Sequence, residues 1–406
     1  VAIDPSAAYA GQVDTSDPTG YPHGKAQNSA SLGDGIGFPL EKAWVNDLLG
    51  FEQALLAAAG AVPSGTPDKV GASQYLSALK NVIRQAQINA QVFNWPHRVS
   101  IASYGGPVNS GVAMAWSSLG MGYASSPLFC AMGKDLNVLT SEDGVTWTAG
   151  ANLPNANFVR PCLALGMVSG VQSFLVPGNG AGATIYKSVD GVTWTSQSVS
   201  HPPNGAVVYA TDIGLWVIAG DGGAISTSPD GVAWTARTTP GHWAGCGGAK
   251  RVVRAAGLFM VLPAGTFNTF LTSPDGVTWT EQTVGSEPWT GIAYSATDGI
   301  WMAVSSTSVI ATSTNAVAWA ATSPGTFPGA NDLAVNGSLW VIASAGAAFG
   351  GIMWSADRGA TWSIVAVGQH RVAANGWDRI LFNGQRFMVA HATGTALEFA
   401  LSLSVP

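Results

Sequence analysis

Ser141-Glu142-Asp143-Gly144-Val145-Thr146-Trp147 is the stretch on which the reading of this chain turns. Asp-Gly between alternating apolar segments marks a tight hairpin, because Gly supplies a positive φ and the Asp carboxylate accepts backbone N–H bonds inside the turn. Ser can add a side-chain bond to the same turn, and Trp opens the outgoing strand with ~200 Å2 of surface to bury. The pattern returns at Ser188–Trp194, Ser228–Trp234 and Ser273–Trp279. A degenerate copy, Ser313-Thr314-Asn315-Ala316-Val317-Ala318-Trp319, replaces both Asp and Gly. A longer copy runs Ser355-Ala356-Asp357-Arg358-Gly359-Ala360-Thr361-Trp362.

The closing tryptophans, Trp147, Trp194, Trp234, Trp279, Trp319 and Trp362, are separated by 47, 40, 45, 40 and 43 residues. That is the length of one four-stranded blade of a β-propeller. One design repeated six times is not six catalytic sites. Asp143, Asp190, Asp230, Asp275, Asn315 and Asp357 are therefore expected to hold turns.

A second repeat runs alongside the first. An aromatic residue in a short apolar strand recurs at Phe129, Phe174, Trp216, Phe259, Trp301, Trp340 and Phe387. Seven such strands against six turns predict a seven-bladed β-propeller over residues 91–406, mainly β, whose last blade lacks its outer strand. The inner strands of that blade are expected around Trp377 to Phe382, Phe387 to His391 and Leu397 to Leu401. An exposed edge invites aggregation, so something should cover it. The segment Val92-Phe93-Asn94-Trp95-Pro96-His97-Arg98-Val99 resembles the missing strand, with Trp95 in the place of the repeated Trp. It is expected to pair with the C-terminal strands and close the ring; the other reading is a plain linker.

The turn motif resembles the Asp-box, or BNR, repeat of sialidases and related propellers, whose pattern is Ser-x-Asp-x-Gly-x-x-Trp. Only Ser355–Trp362 has that full spacing. The resemblance implies propeller architecture. Sialidases of this family set three arginines on the substrate carboxylate and use a Tyr nucleophile paired with Glu. In the propeller Tyr104, Tyr123, Tyr186, Tyr209 and Tyr294 could be matched with Glu142, Glu281, Glu287 or Glu398, and Arg98, Arg251 and Arg371 could make a triad. His97-Arg98-Val99 does not reproduce the Phe-Arg-Ile-Pro that opens the family pattern, so the chain is read as a binding protein and not an enzyme.

Composition narrows the classes further. Charged residues are 10% of the chain and the net charge is −6, with 17 Lys plus Arg, which is no footprint for nucleic acid. No apolar run approaches the ~20 residues of a membrane span, so no membrane insertion is expected. Cys130, Cys162 and Cys246 lie in apolar stretches without a CxxC pair and read as free buried thiols. The six His have no His-x-x-x-His spacing, so neither metal nor cofactor is expected.

Residues 1–90 carry none of the blade periodicity. The first 40 are rich in Gly, Ser, Pro and Asp and read as an extended attachment segment. Residues 41–90 hold two helices, a small α-helical N-terminal segment. One runs roughly from Leu40 to Ala59, with Trp44, Leu48, Phe51 and Leu55 on a stripe. In the second, opened by Thr66-Pro67-Asp68, Ala72, Leu76, Leu79, Ile83, Ala86 and Ala90 alternate spacings of four and three, the seam of a coiled coil. An amphipathic helix packed on its own chain fits the same pattern. Three strings, Trp44-Val45-Asn46-Asp47, Phe51–Gly60 and Ser64–Leu79, resemble the N-terminal region of bacteriophage tail fibre and receptor-binding proteins. The resemblance implies that this part contacts other phage tail proteins, that the chain is a homotrimer with Leu76, Leu79 and Ile83 at its seam, and that it resides in the virion after synthesis in the bacterial cytoplasm.

The propeller is then expected to bind a host-surface glycan or protein. The face opposite the turns should display His201, Asp221, His242, Trp243, Phe267, Glu287, Trp289, Phe327, His370 and Arg371. Of these, His242, Trp243, Glu287, Trp289 and Arg371 are the candidate ligand residues. Trp243 and Trp289 could stack on a sugar or wedge between blades. The alternatives are a structural collar or adaptor touching other tail proteins, and a glycan-degrading enzyme.

Overall fold

The computed structural model describes residues 13–14, 16, 25–26, 51, 54–59, 73–80, 82, 97–102, 112–117, 128–133, 137–143, 145–153, 162–178, 183–201, 203, 205–240, 246, 248–265, 267–323, 329–344, 351–364, 377–383, 386–392 and 396–401. The chain divides into two compact units, Val1–Ala90 and Gln91–Pro406.

The second unit is a β-propeller. Six four-stranded antiparallel sheets are each built from four consecutive strands, and a seventh is composite. Sheets 1 to 7 take their numbers from the order of their first strands, which are Val112–Ser117, Ala164–Val168, Ala206–Ala210, Ala249–Ala255, Trp289–Ser295, Ala330–Asn336 and Arg379–Phe382. The first strand of each sheet lies against the first strand of the next, and that of sheet 7 lies against that of sheet 1. In sheet 7, Arg379–Phe382, Phe387–Ala392 and Ala396–Leu401 are completed by His97–Ala102, in register from His97 opposite Leu401 to Ala102 opposite Ala396. The strand starts two residues after Trp95, which lies outside the described residues.

The two sequence repeats are halves of one structural unit. Each aromatic of a second strand sits directly opposite the Ser that opens the turn motif: Phe129 and Ser141, Phe174 and Ser188, Trp216 and Ser228, Phe259 and Ser273, Trp301 and Ser313, Trp340 and Ser355. All seven aromatics are buried. Cross-strand pairs of this kind are the unit from which a sheet draws stability. The turn tryptophans are half-buried at the rim, apart from Trp279, which is buried.

Within each turn one carboxylate oxygen does most of the holding. Asp230 Oδ1 accepts from the backbone N–H of Val232 at 2.8 Å and Ala233 at 2.9 Å, and from Ser228 Oγ at 2.9 Å. Asp275 repeats this with Val277, Thr278 and Ser273 at 2.8, 2.9 and 3.0 Å. Asn315 Oδ1 accepts from the equivalent groups at 3.0, 2.9 and 3.1 Å. The degenerate copy thus keeps the bonds because an amide oxygen accepts as a carboxylate does. Its Ala316 holds a φ of 60° where the other turns place Gly.

Three inner strands carry a bulge at the same place. Register slips between Ala249 and Arg251 in sheet 4, between Trp289 and Gly291 in sheet 5, and between Ala330 and Asp332 in sheet 6. A bulge frees one residue from the ladder and re-aims its neighbours. Two of the freed side chains reach the next sheet. Thr290 Oγ1 donates to Ala330 O at 2.8 Å, and Asn331 Nδ2 donates to Trp377 O at 2.9 Å. Backbones come very close here: a Cβ at Gly291 would stand 3.0 Å from Leu333 N and 3.1 Å from the Asp332 Cα.

In the first unit Val13–Asp14 pairs with Lys25–Ala26, and residues 54–58 and 74–80 are helical. Leu55, Leu56 and Ala78 are buried together, with Ala59, Tyr75 and Val82 packed on them. The second helix therefore meets the first through the face of Tyr75, Ala78 and Val82. Leu76 and Leu79 lie away from that face, 45% and 39% exposed. Ile83 lies outside the described residues.

Three outcomes test this packing. The backbone N–H groups of Val232 and Ala233 hold the Asp230 carboxyl below its ordinary range, and those of Thr278 and Val277 do the same for Asp275. A carboxyl depressed in the folded state contributes stability above its unfolded pKa of about 3.9 and loses it as pH falls through the folded value. Asp230→Asn with Asp275→Asn should hold Tm near neutral pH, as Asn315 holds its turn, and should lose less Tm than the parent between pH 5 and pH 2. Asp230→Ala should cost about 1–2 kcal/mol at neutral pH. Gly291→Ala, pressed against backbone that cannot yield cheaply, should cost about 1–3 kcal/mol; an unchanged Tm by calorimetry would refute the close approach of sheets 5 and 6.

Candidate functional site

Charged residues are scarce on the inner strands. Among the seven first strands only those of sheets 4, 6 and 7 contain any: Lys250, Arg251 and Arg254, then Asp332, then Arg379. Arg254 is turned away, donating to Asp212 from Nε at 3.2 Å and Nη2 at 2.7 Å while lying 4.4 Å over the Phe259 ring. Arg251, Asp332 and Arg379 instead line one cavity of about 210 Å3.

The bulges explain this convergence. Arg251, Gly291 and Asp332 hold the same position, immediately after the bulge, in three successive sheets. Sheet 5 has no side chain there. The Arg251 guanidinium consequently spans from sheet 4 to sheet 6, where Nη2 lies 2.5 Å from Asp332 Oδ2. Asp332 is buried, and its two oxygens also accept the backbone N–H groups of Leu333 at 3.0 Å and Ile380 at 3.1 Å. That last bond ties the carboxylate to sheet 7.

Arg379 faces the same space. Burial, and then the like charge of Arg251, pull it down from its ordinary value to about 10, against the opposing pull of Asp332. It remains protonated at neutral pH. Asp378, its chain neighbour, bonds His391 Nδ1 at 3.0 Å and is not part of the lining. Arg251, Arg379 and Asp332 line the cavity, Asp378 pulls on Arg379 from outside the lining in the same sense as Asp332, and Val253, Ile292 and Leu333 are among the aliphatic lining residues. All three charged residues sit toward the start of their strands, the end of the ring opposite the turn motifs.

The residues predicted to bind ligand fare differently. Trp289 is 1% exposed, its Nε1 donates to Gly285 O at 3.1 Å, and Phe270 meets it edge-on at 5.8 Å. It is a wedge and no sugar platform, because the first strand carries it inward. Glu287 closes the outer strand of sheet 4 and accepts a hydrogen bond from Thr307 Oγ1. His242, Trp243 and Arg371 lie outside the described residues. The site residues that were not foreseen, Asp332 and Arg379, had one sequence signal: a charge inside a short strand that is otherwise apolar.

For the sialidase-type reading, Tyr209 Oη donates to Met167 O and packs on Trp216, while Tyr294 packs on Trp301 at 5.0 Å. Tyr186 is buried, and burial pushes its phenol up. Neither Arg98 nor Arg371 can be placed beside Arg251, since the Arg98 side chain and all of Arg371 lie outside the described residues. Cys130 and Cys246 are buried free thiols, and Cys162, half-buried, lines the cavity. Among the described residues no group of three or more His, Cys, Asp or Glu could hold a metal ion, and no helix is long and apolar enough to cross a membrane.

No protein-family model matches the chain, and no curated protein is significantly similar to it in sequence. Among solved structures it is similar to YCF48 bound to D1 peptide, with a TM-score of 0.57 and 16% identity over 77% of this chain and 98% of that one. It is also similar to streptogramin B lyase, with a TM-score of 0.58 and 13% identity over 76% of this chain and 99% of that one. At such identities the likeness establishes the β-propeller fold and nothing further.

Proposed function

We propose that this chain is a bacteriophage tail component whose propeller binds a host-surface glycan or protein and does no chemistry on it. The observation that carries the reading is the string of the N-terminal region that resembles tail fibre proteins, joined to a propeller that forms a separate compact unit. Residues 1–90 would contact other tail proteins and the propeller would face the host. The seven four-stranded sheets are taken as seven blades of one ring, sealed by His97–Ala102. One of the similar structures is a propeller bound to a peptide, which fits recognition of a macromolecule by this fold.

The exposed Leu76 and Leu79 support a homotrimer seam along the second helix, since apolar residues at this spacing are the knobs of a coiled coil. In light scattering, Leu76→Glu with Leu79→Glu should reduce a trimer to a monomer while leaving the far-UV spectrum of the propeller intact. A parent protein that is already monomeric would end the trimer reading.

Host attachment is tested with the labelled full-length chain on susceptible bacteria and on resistant mutants of the same strain. Saturable binding to the first and its loss on the second are expected. Absence of binding to any strain, together with incorporation of the chain inside the tail, would replace host recognition by a collar or adaptor role.

A further inference from the structure

Exposed apolar side chains are confined to one end of the propeller sheets. Met167, Val171 and Ile213 lie in or beside the hairpins that join first and second strands of sheets 2 and 3. Val192, Val232, Val277 and Val317 lie in the turns that join third and fourth strands of sheets 2 to 5, each 44 to 56% exposed. Strands alternate in direction, so both kinds of connection fall at the same end. Among the described residues of the propeller no other large apolar side chain is exposed. Scattered exposed valines need no explanation, whereas concentration on one surface marks a contact.

The turn itself does not ask for valine. It uses only the backbone N–H, which Asp190, Asp230, Asp275 and Asn315 accept from Val192, Val232, Val277 and Val317. Any residue but proline supplies that donor. Valine nevertheless stands there in all five short copies, Val145 included. The loops that present these residues are also tied to one another. Tyr209 Oη of sheet 3 donates to Met167 O of sheet 2, and Lys187 Nζ of sheet 2 donates to Asp230 O of sheet 3 at 2.8 Å. Arg254 of sheet 4 joins Asp212 of sheet 3 to Pro274 O, at 2.8 Å, in its own turn. A surface held in this way loses little freedom on binding.

Charge selects the occupant. The same connections in sheets 2 to 6 carry Asp190, Asp212, Asp230, Asp275, Asp298 and Asp357. Arg254 pairs with Asp212, Arg358 pairs with Asp298, and Lys187 lies beside Asp230. Six acids less three cations leave −3, with Asp190, Asp275 and Asp357 held by backbone N–H and hydroxyl donors. A second copy of this chain, with its net charge of −6, is repelled by such a face, and so is an anionic lipid surface.

We propose that the turn end of sheets 2 to 5 is a docking surface for a partner protein segment in which apolar residues alternate with Lys or Arg. The valines meet its apolar residues, and the turn carboxylates face its cations. The proposal stands apart from host attachment, because peptide binding and binding to bacteria are read separately.

Fluorescence anisotropy of the full-length protein with labelled peptides tests the surface. The probes are four-repeat peptides of Lys-Leu-Gly, Lys-Ser-Gly and Glu-Leu-Gly. Saturable binding of Lys-Leu-Gly is expected, with each of the others at least about tenfold weaker. Equal binding of Lys-Ser-Gly would overturn the role of the valines, and equal binding of Glu-Leu-Gly that of the charge. No saturable binding of any peptide would overturn the surface. Val192, Val232, Val277 and Val317 replaced together by Thr, with Tm checked, should weaken Lys-Leu-Gly by at least about tenfold. Asp230→Asn with Asp275→Asn, which keeps both turns, should weaken it by at least about threefold. Unchanged affinity in either variant places the peptide elsewhere and refutes the proposal. Preferential binding to phosphatidylglycerol vesicles, or self-association lost in the Thr variant, would give the face to a membrane or to a second copy and likewise refute it. Should the fourfold variant fail to fold, the Asn pair and the three peptides on the unaltered protein still decide.

Discussion

The antiparallel pairing of His97–Ala102 with Ala396–Leu401 joins two parts of the chain almost 300 residues apart and gives the last sheet its fourth strand. Without it, Ala396–Leu401 would present a row of unpaired backbone groups to solvent, the usual starting point for intermolecular strand addition. Its effect reaches the centre of the ring. Sheet 7, once complete, places Arg379–Phe382 between the inner strands of sheets 6 and 1, and so brings Arg379 to the space already occupied by Arg251 and Asp332.

Inside the ring the sheets are tied by a recurring backbone device. A bulge at the start of the inner strand releases a polar residue that bonds to the next sheet, as Thr290 and Asn331 do. In sheets 4 and 6 the residue after the bulge, Arg251 and Asp332, lines the cavity. At that position the repeat stops being a repeat: Arg251, Gly291 and Asp332 share a structural address and have nothing chemical in common. Along the rim the opposite holds. Five turns use one hydrogen-bonding scheme, the longer Ser355 copy reaching Thr361 N–H instead, and even the copy that lost Asp and Gly preserves it through Asn315 and a left-handed Ala316. Uniform positions build the ring, and the varied ones give it a chemical character.

A contrast follows for reading such chains. Turn carboxylates are the most conspicuous ionisable groups in the sequence because they recur, yet their bonds are all local. The carboxylate that matters most for the cavity is Asp332, which stands in no motif. It is buried between an arginine two sheets away and a backbone N–H of the adjacent sheet. Trp289 shows the same difficulty in reverse. Next to a loop in sequence it resembles a ligand platform, but the bulge and strand direction carry its ring inward against Phe270.

What the sequence determined by itself was everything that rests on local spacing. Asp-Gly turns and aromatic second strands follow from hydrogen bonds and side-chain alternation within about 15 residues, so they can be read from neighbours in the chain, and their recurrence every 40 to 47 residues gives the blade length. The surplus strand before the first sheet was legible as well, because a count of seven aromatics against six turns leaves one edge open. Only the tertiary structure decided which charges meet. Arg251, Asp332 and Arg379 come together through close packing of first strands around a common axis, with Gly291 leaving the gap that one of them crosses. The helix face buried in the N-terminal unit was settled the same way, by the fit of Tyr75, Ala78 and Val82 against Leu55 and Leu56. Contacts between residues far apart in the chain leave no periodic trace, because what selects them is the shape of the assembled ring.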